Sequence, residues 1–217
     1  NLAAGFQSAA FLKWRSLRKQ EDARFVGLVL PRILMREPWE LHETTGFCFR
    51  EDTSNPDISG FLWGNAAFAW GQVAIRSFAE TGWLADIRGT DRNRDGGGLV
   101  TGLPSLSFAT DREGLAIRGC TDLIVTDQQE IEFSRLGFLP LCQCHDSPFA
   151  AFYSSQSIQE AVTYDDPVAS ANAHISSMLQ YMLCVSRFAH YLKVIARDTI
   201  GGATDPESMQ ERLRGWL

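Results

Sequence analysis

The pattern between Asp166 and Gly201 predicts one helix of unusual length, and this is the strongest constraint on what the chain can fold into. Asp166 can cap the first free amides, and Pro167 suits the first helical position. Gly201 supplies the left-handed residue that commonly ends a helix. A helix over about 167–200 is on the order of 50 Å long, more than a compact domain of this size usually spans. We expect it to extend beyond its own core, although an ordinary long core helix fits the pattern equally well.

Apolar residues recur along this segment at alternating steps of four and three. That spacing keeps one face of a helix turned towards a partner. The predicted stripe consists of Ala171, Ile175, Met178, Met182, Val185, Ala189, Leu192 and Ala196. On another face, His190, Lys193 and Arg197 fit two explanations equally: contact with an acidic partner, or a solvated basic end that complements the helix dipole.

Strand signals alternate with helix signals through the rest of the chain. Helices are predicted over about 8–21 and 59–80, and a capping box at Thr126 or Asp127 predicts another that ends near Gly137. Short apolar runs predict strands at 25–30, 103–108, 115–117, 123–125, 138–142 and 149–153. This mixture predicts an α/β fold, with a mixed sheet covered by helices and one long extended helix.

No repeat or linker divides the chain, so we expect a single globular unit over 1–217. Within it, the α/β core covers about 1–160, and the long helix with the helix that follows covers about 166–217. An apolar fraction of 45% suffices for a core without metals or disulfides.

The charge balance argues against polyanionic partners. The net charge is −6 and the pI is near 5.2, so a basic footprint for nucleic acid is missing. The two most apolar stretches, 61–75 and 167–186, are interrupted by polar residues, so we expect no membrane insertion. The five cysteines are odd in number and lack a framework spacing, and we interpret them as reduced and cytosolic: Cys48, Cys120, Cys142, Cys144 and Cys184.

The cluster of Cys142, Cys144 and His145 is the strongest hint of chemistry. Thiolates and imidazole are zinc ligands, but a closed site needs a fourth ligand and usually a two-residue spacer between paired cysteines. The glycines at 96–98 lack the lysine that ends a phosphate loop. We therefore assign no catalytic, cofactor-binding or metal-binding residue and expect no enzyme. A metal- or thiol-dependent enzyme centred on the cluster is the alternative.

A third possibility is an adaptor that binds one helical peptide. Small side chains would line one stripe of the helix predicted over 59–80, at Gly64, Ala67, Gly71 and Ala74. Small residues allow another backbone to approach closely. Burial of this stripe within the chain would exclude an adaptor role.

Several long segments, in the same order, resemble one family, the large subunit of the type VI secretion contractile sheath of the VipB/TssC/EvpB type. They are FVGLVLPRIL (25–34), LWGNAAFAWGQVAIRSFAETGWLADIRG (62–89), GGGLVTGLPSLSFATDREG (96–114), TDLIVTDQQEIEFSRLGFLPLCQC (121–144) and ISSMLQYMLCVSRFAHYLKVIARDTIG (175–201). The resemblance covers nearly the whole chain. Around residues 118–120 the family tends to be proline-rich, and this chain is not.

The resemblance implies a cytoplasmic bacterial structural protein without a cofactor. Its partners would be the small sheath subunit, neighbouring large subunits, the hexamers of the inner tube, and an AAA+ unfoldase that recycles the contracted sheath. The heterodimers would form a helical sleeve whose contraction drives the tube outward and delivers effectors. The resemblance also implies that this chain is an interior piece of a longer subunit and does not polymerise alone.

Overall fold

The computed structural model describes residues 2–39, 49–53, 58–91, 95–106, 119–144, 147, 149–200 and 205–216. In this part of the chain the helices are α1 Leu2–Gly5, α2 Leu12–Arg18, α3 Ala67–Thr81, α4 Asp127–Arg135, α5 Pro167–Ser176, α6 Leu179–Thr199 and α7 Pro206–Trp216, with short 3-10 helices at Ala9–Phe11 and Glu21–Phe25. The strands are β1 Leu28–Leu30, β2 Ile33–Leu34, β3 Trp63–Gly64, β4 Leu99–Val100, β5 Phe138–Gln143 and β6 Ala150–Phe152. The predicted α/β class is confirmed.

A mixed sheet of four strands, in the order β1-β5-β6-β4, forms the centre. β5 runs parallel to β1 and antiparallel to β6, with Val29 opposite Leu139 and Cys142 opposite Ala151. β5 is the longest strand because its middle four residues are all buried, and a strand covered on both faces reads as a continuous apolar run. The strands predicted at 138–142 and 149–153 are therefore confirmed in position.

Helix α3 covers one face of this sheet. Its inward side presents Ala69 and Val73 to a buried cluster that includes Phe152. Strand β4 approaches so closely that a Cβ on Gly98 would lie 2.1 Å from the carbonyl oxygen of Phe152. The amide of Phe152 donates to the carbonyl of Gly98 at 2.9 Å. Glycine at 98 is thus required by the close approach of two backbones.

Helix α3 begins later than the sequence predicts. The helix predicted from residue 59 starts at Ala67, because Trp63 and Gly64 form β3 and pair with β2. The side chain of Asn65 then accepts a hydrogen bond from the amide of Ala67 at 2.8 Å. The end is as predicted, with Gly82 in the left-handed conformation at φ 72°.

The capping box of α4 forms as predicted at Thr126. Its hydroxyl accepts from the amide of Gln129 at 3.4 Å, and the Gln129 side chain accepts from the Thr126 amide at 3.0 Å. Other strand predictions fare differently. Of the run predicted at 103–108, residues 103–106 are described, and there Leu106 forms an isolated bridge with Gly119. Residues 123–125 are not a strand. The run at 115–117 lies outside the described residues.

A buried arginine, Arg18, forms hydrogen bonds to two parts of the core that are far from it in the sequence. The guanidinium of Arg18, at the end of α2, donates to the carbonyl of Ile158 at 2.9 Å and to that of Arg135 at 2.8 Å. Burial lowers the pKa of Arg18, and the nearby charge of Glu160 opposes that shift. Arg18 therefore fastens α2 to the last turn of α4 and to the segment after β6.

The prediction of one long helix over about 167–200 is wrong in its middle. Helix α5 ends at Ser176 and α6 begins at Leu179, because Met178 is extended, with φ −76° and ψ 138°. The predicted entrance is confirmed, since the Asp166 side chain accepts from the amide of Val168 at 3.0 Å. The predicted stop at Gly201 lies outside the described residues.

Candidate assembly surface

The break between α5 and α6 is held by the segment that follows β6. The amide of Leu179 donates to the carbonyl of Ser155 at 2.8 Å, and Gln156 forms an isolated bridge with Met178. The Ser157 hydroxyl donates to the carbonyl of Ser177. These contacts replace intrahelical partners, so tertiary structure overrides the local helix pattern.

The Leu179 side chain anchors the start of α6 in the core. It is 6% exposed, and its Cδ1 atom occupies the space that a Cβ on Gly27 would need, at 2.6 Å. Gly27 precedes β1 directly, so the first residue of α6 is seated against the edge of the central sheet.

Beyond this anchor, one face of α6 packs against the end of α3 and the segment after it. The guanidinium of Arg187 lies 4.4 Å from the ring centre of Phe78 and 6.0 Å from that of Trp83. The Tyr191 ring lies 6.3 Å from Trp83, and the side chain of Leu183 packs against the core cluster. Cation–π and aromatic contacts of this kind fix the helix over about three turns.

The predicted stripe lies on the opposite side of α6 from this packed face. At about 100° per residue, Val185 lies about 200° from Leu183 and from Arg187 around the helix axis. Val185 is 39% exposed and Leu192 45% exposed. The prediction that these residues face a partner is not tested by the structure and stays a prediction.

The structure does not place the eight stripe residues on one continuous line. Ala171 and Ile175 lie on α5, Met178 lies in the break, and the remaining five lie on α6. Met178 and Met182 are half-buried, while the other six are exposed: Ala171, Ile175, Val185, Ala189, Leu192 and Ala196.

Two aromatic residues beside the stripe were missed in the sequence. Tyr181 and Phe188 are exposed and continue the line of Val185 and Leu192 at steps of four, three and four. We call Tyr181, Val185, Phe188 and Leu192 the α6 outer face. These four positions form a helical apolar repeat of their own, so the sequence contains a signal for this face as well. Phe188 lies at the edge of this face, where its ring contacts Trp83 at 5.0 Å and Trp216 of α7 at 5.7 Å between ring centres.

The stripe of small residues considered for an adaptor divides in the structure. Gly64 lies in β3, where a Cβ would meet the Met35 side chain at 2.2 Å. Ala67 and Gly71 lie on the outer side of α3 beside the exposed Phe68 and Ile75, along an open groove of about 490 Å³. Ala67 is exposed, and Gly64, Gly71 and Ala74 are half-buried, so the stripe is not buried within the chain and an adaptor role is not excluded on this ground.

The cysteine cluster does not present a reactive thiol at its centre. Burial raises the pKa of Cys142 to about 12 and that of Cys120 to about 11. A thiol must lose its proton to act as a nucleophile or a metal ligand. Cys144 is partly exposed, with its Sγ 3.7 Å from the hydroxyl oxygen of Tyr153. His145 lies outside the described residues, within which no group of three potential ligands forms a metal site.

The basic residues near the end of α6 are exposed. His190, Lys193 and Arg197 are all exposed, and the Arg197 guanidinium lies 3.8 Å from the Asp198 carboxylate. Such an exposed neighbouring pair contributes little to stability. The choice between an acidic partner and a solvated helix end stays open.

Among the residues described here, no helix is both long and apolar enough to span a bilayer.

Comparison with known proteins assigns the chain to a family. Residues 1–159 match the EvpB/VC_A0108 tail sheath N-terminal domain, and residues 168–217 match the tail sheath gpW/gp25-like domain of the same family. The type VI secretion system sheath protein TssC1 of Pseudomonas aeruginosa is 40% identical over 214 residues, which is 98% of this chain and 42% of that protein. The chain thus spans less than half the length of this relative. The predicted resemblance is confirmed, and the chain belongs to the EvpB/VipB family of tail sheath proteins, as a structural component of the type VI secretion sheath.

Proposed function

We propose that this chain is the part of a large sheath subunit that pairs with the small sheath subunit through the α6 outer face. The observation that carries the proposal is an apolar, exposed helix face whose opposite side is fixed to the core. Contiguous exposed apolar surface on a soluble protein is typical of an interaction site. Each of its four side chains is about half exposed. Burial of each side chain by a partner would therefore contribute about 1 kcal/mol to the free energy of binding.

The way α6 is anchored suits transmission of force. Leu179 and Arg187 fix the helix near its start and its middle, against the central sheet and the end of α3. A load applied to the outer face is then passed to the sheet through packed side chains, which yield little. A joint of this kind transmits rigid-body motion between subunits.

Family membership supports the remainder of the proposal. We infer that the heterodimers form a helical sleeve in the bacterial cytoplasm around tube hexamers, in contact with neighbouring large subunits. Contraction of the sleeve drives the tube outward to deliver effectors, and an AAA+ unfoldase recycles the contracted sheath. The α/β core of about 1–160 and the helical part of about 166–217 act together as one unit. The function requires no catalytic residue and no cofactor.

The test replaces Val185 with Asp in the complete subunit, co-expressed with the small sheath subunit. Burial of an unpaired carboxylate in an apolar joint costs several kcal/mol, so pairing should weaken at least about 100-fold. Ser186→Asp is the matched control, because Ser186 is exposed on the same helix but lies off the outer face. It should change pairing less than about threefold.

Pull-down of the small subunit and electron microscopy of hollow tubules give the readouts. Normal pairing and tubules with Val185→Asp would contradict the proposed joint. Val185 is the better probe than Met178 and Met182, which are half-buried within the chain itself. A charge at either methionine would also destabilise the fold.

A further inference from the structure

We propose that residues 167–199 have two states, the pair of helices α5 and α6 and one continuous helix, with the contacts of residues 155–157 as the latch between them. The proposal rests on the proposed function in one respect, since the small sheath subunit is the partner that would favour the continuous state.

The sequence of this segment is compatible with an unbroken helix. Neither glycine nor proline occurs between Val168 and Thr199, and Met178, at the break, is a strong helix former. The apolar repeat runs through the break without a change of phase. Helix breaks usually have a local cause such as proline or an inserted side chain. Here the cause is tertiary.

A change at essentially one residue separates the two states. Ser177 still has near-helical angles, with φ −87° and ψ −5°, whereas Met178 has ψ 138°. The amide of Ser177 donates to the carbonyl of Ala173 at 3.2 Å, and the amide of Met182 donates to that of Met178 at 3.1 Å. The helical ladder is therefore intact on both sides, and rotation of one ψ angle reconnects it.

The latch is polar and buried. Ser155, Gln156, Ser157 and Ser177 are each at most 6% exposed. The Gln156 side chain donates to the Ser177 hydroxyl at 2.8 Å, and the Ser157 hydroxyl donates to the Ser177 carbonyl. Among the described residues the Ser155 hydroxyl has no hydrogen-bond partner. Buried polar groups that are only partly satisfied stabilise a state less than an apolar contact would.

The continuous state loses the contacts of residues 155–157 but can bind a partner along the whole predicted stripe, which the broken state cannot. Only an unbroken helix sets all eight residues of the predicted stripe in one line, from Ala171 on α5 to Ala196 on α6. A partner that covers the whole stripe binds the continuous state better, and it therefore shifts the population towards that state.

The experiment measures the distance between two spin labels in the complete subunit, alone and in complex with the small subunit. The labels are placed at Asn172 and Lys193, both exposed, through unnatural amino acids that leave the native thiols unmodified. A continuous helix separates these two Cα atoms by about 32 Å, and the broken helix brings them closer. We expect a second population near 32 Å that grows in the complex.

Two variants with matched controls isolate the hinge. Gln180→Pro is tolerated in the first turn of α6 but forbids a continuous helix, so it should abolish the longer distance, whereas Gln180→Ala should keep it. Ser157→Ala removes one latch hydrogen bond and should raise the longer population about fivefold. Ser176→Ala, whose hydroxyl bonds within α5 to the Asn172 carbonyl, should leave it unchanged.

The outcomes separate this inference from the proposed function. Pairing with only the shorter distance, both in the wild-type complex and in Ser157→Ala, would overturn the hinge and leave the joint intact. Failure of the complete wild-type subunit to bind the small sheath subunit would contradict the proposed function. In that case the free Ser157→Ala subunit decides the hinge, which stands if the longer distance appears and falls if it does not.

Discussion

Replacement of Leu179 by Ala should release α6 from the core. The side chain is 6% exposed and fills the space beside Gly27, so truncation removes nearly its whole apolar contact. Loss of three carbon groups costs about 2.4 kcal/mol in transfer free energy, and the cavity brings the total to about 3 kcal/mol. Because Leu179 holds one helix, the cost should appear as local opening of α6.

Hydrogen–deuterium exchange of the complete subunit measures that opening directly. A loss of about 3 kcal/mol corresponds to amide exchange about 150-fold faster along α6. Leu192→Ala makes the same chemical change on the same helix at a residue that is 45% exposed. It should lose about 1 kcal/mol or less, which is at most about a fivefold acceleration. Equal effects of the two substitutions, or less than about fivefold for Leu179→Ala, would refute the anchor.

Three further predictions concern the core. Arg18→Met should destabilise the subunit by about 2–4 kcal/mol in urea unfolding, because two carbonyls lose their charged donor, while Lys13→Met, at an exposed residue of the same helix, should change stability by less than about 0.5 kcal/mol. Gly98→Ala should lower the yield of folded protein, since its Cβ would meet a backbone oxygen at 2.1 Å, and normal yield would contradict the close approach. The pKa of Cys142 is raised from 9.0 to about 12, so its contribution to stability is fully present below pH 9 and is lost as the pH rises towards 12. Iodoacetamide with peptide mapping at pH 8 should modify Cys144 before Cys142.

Signals confined to a few neighbouring residues predicted the fold best. The capping box at Thr126 and the left-handed Gly82 each depend on hydrogen bonds or backbone angles within one turn, so the sequence shows them directly. The buried run at 138–142 was recognisable for a similar reason, because a central strand is apolar on both faces. The start of α3 depends on pairing between β2 and β3, about 30 residues apart in the chain, and no local pattern reports it.

The candidate surface was predicted in part. Periodicity identified a helix stripe that includes Val185 and Leu192, both exposed in the structure. It could not distinguish the stripe that packs inward through Arg187 from the one that faces outward, since both contain apolar residues at helical spacing. Phe188 is not part of the predicted stripe, because that repeat places Ala189, the next residue, at this turn of the helix. Which face of α6 is covered depends on Trp83, about 100 residues away in the sequence, which contacts Arg187 and Tyr191.

The interruption at Met178 is the clearest case in which local pattern and tertiary structure disagree. A sequence under selection for the bent form alone would be expected to have a helix breaker at or near this position, because proline or glycine disfavours the continuous helix. This chain instead has a strong helix former, an unbroken apolar repeat, and a bend held by buried serine and glutamine contacts. Local preference and tertiary contact thus favour different backbones, and the hydrogen bonds of residues 155–157 decide between them. A conflict of this kind is expected at a moving joint, where two arrangements of similar free energy must both be available.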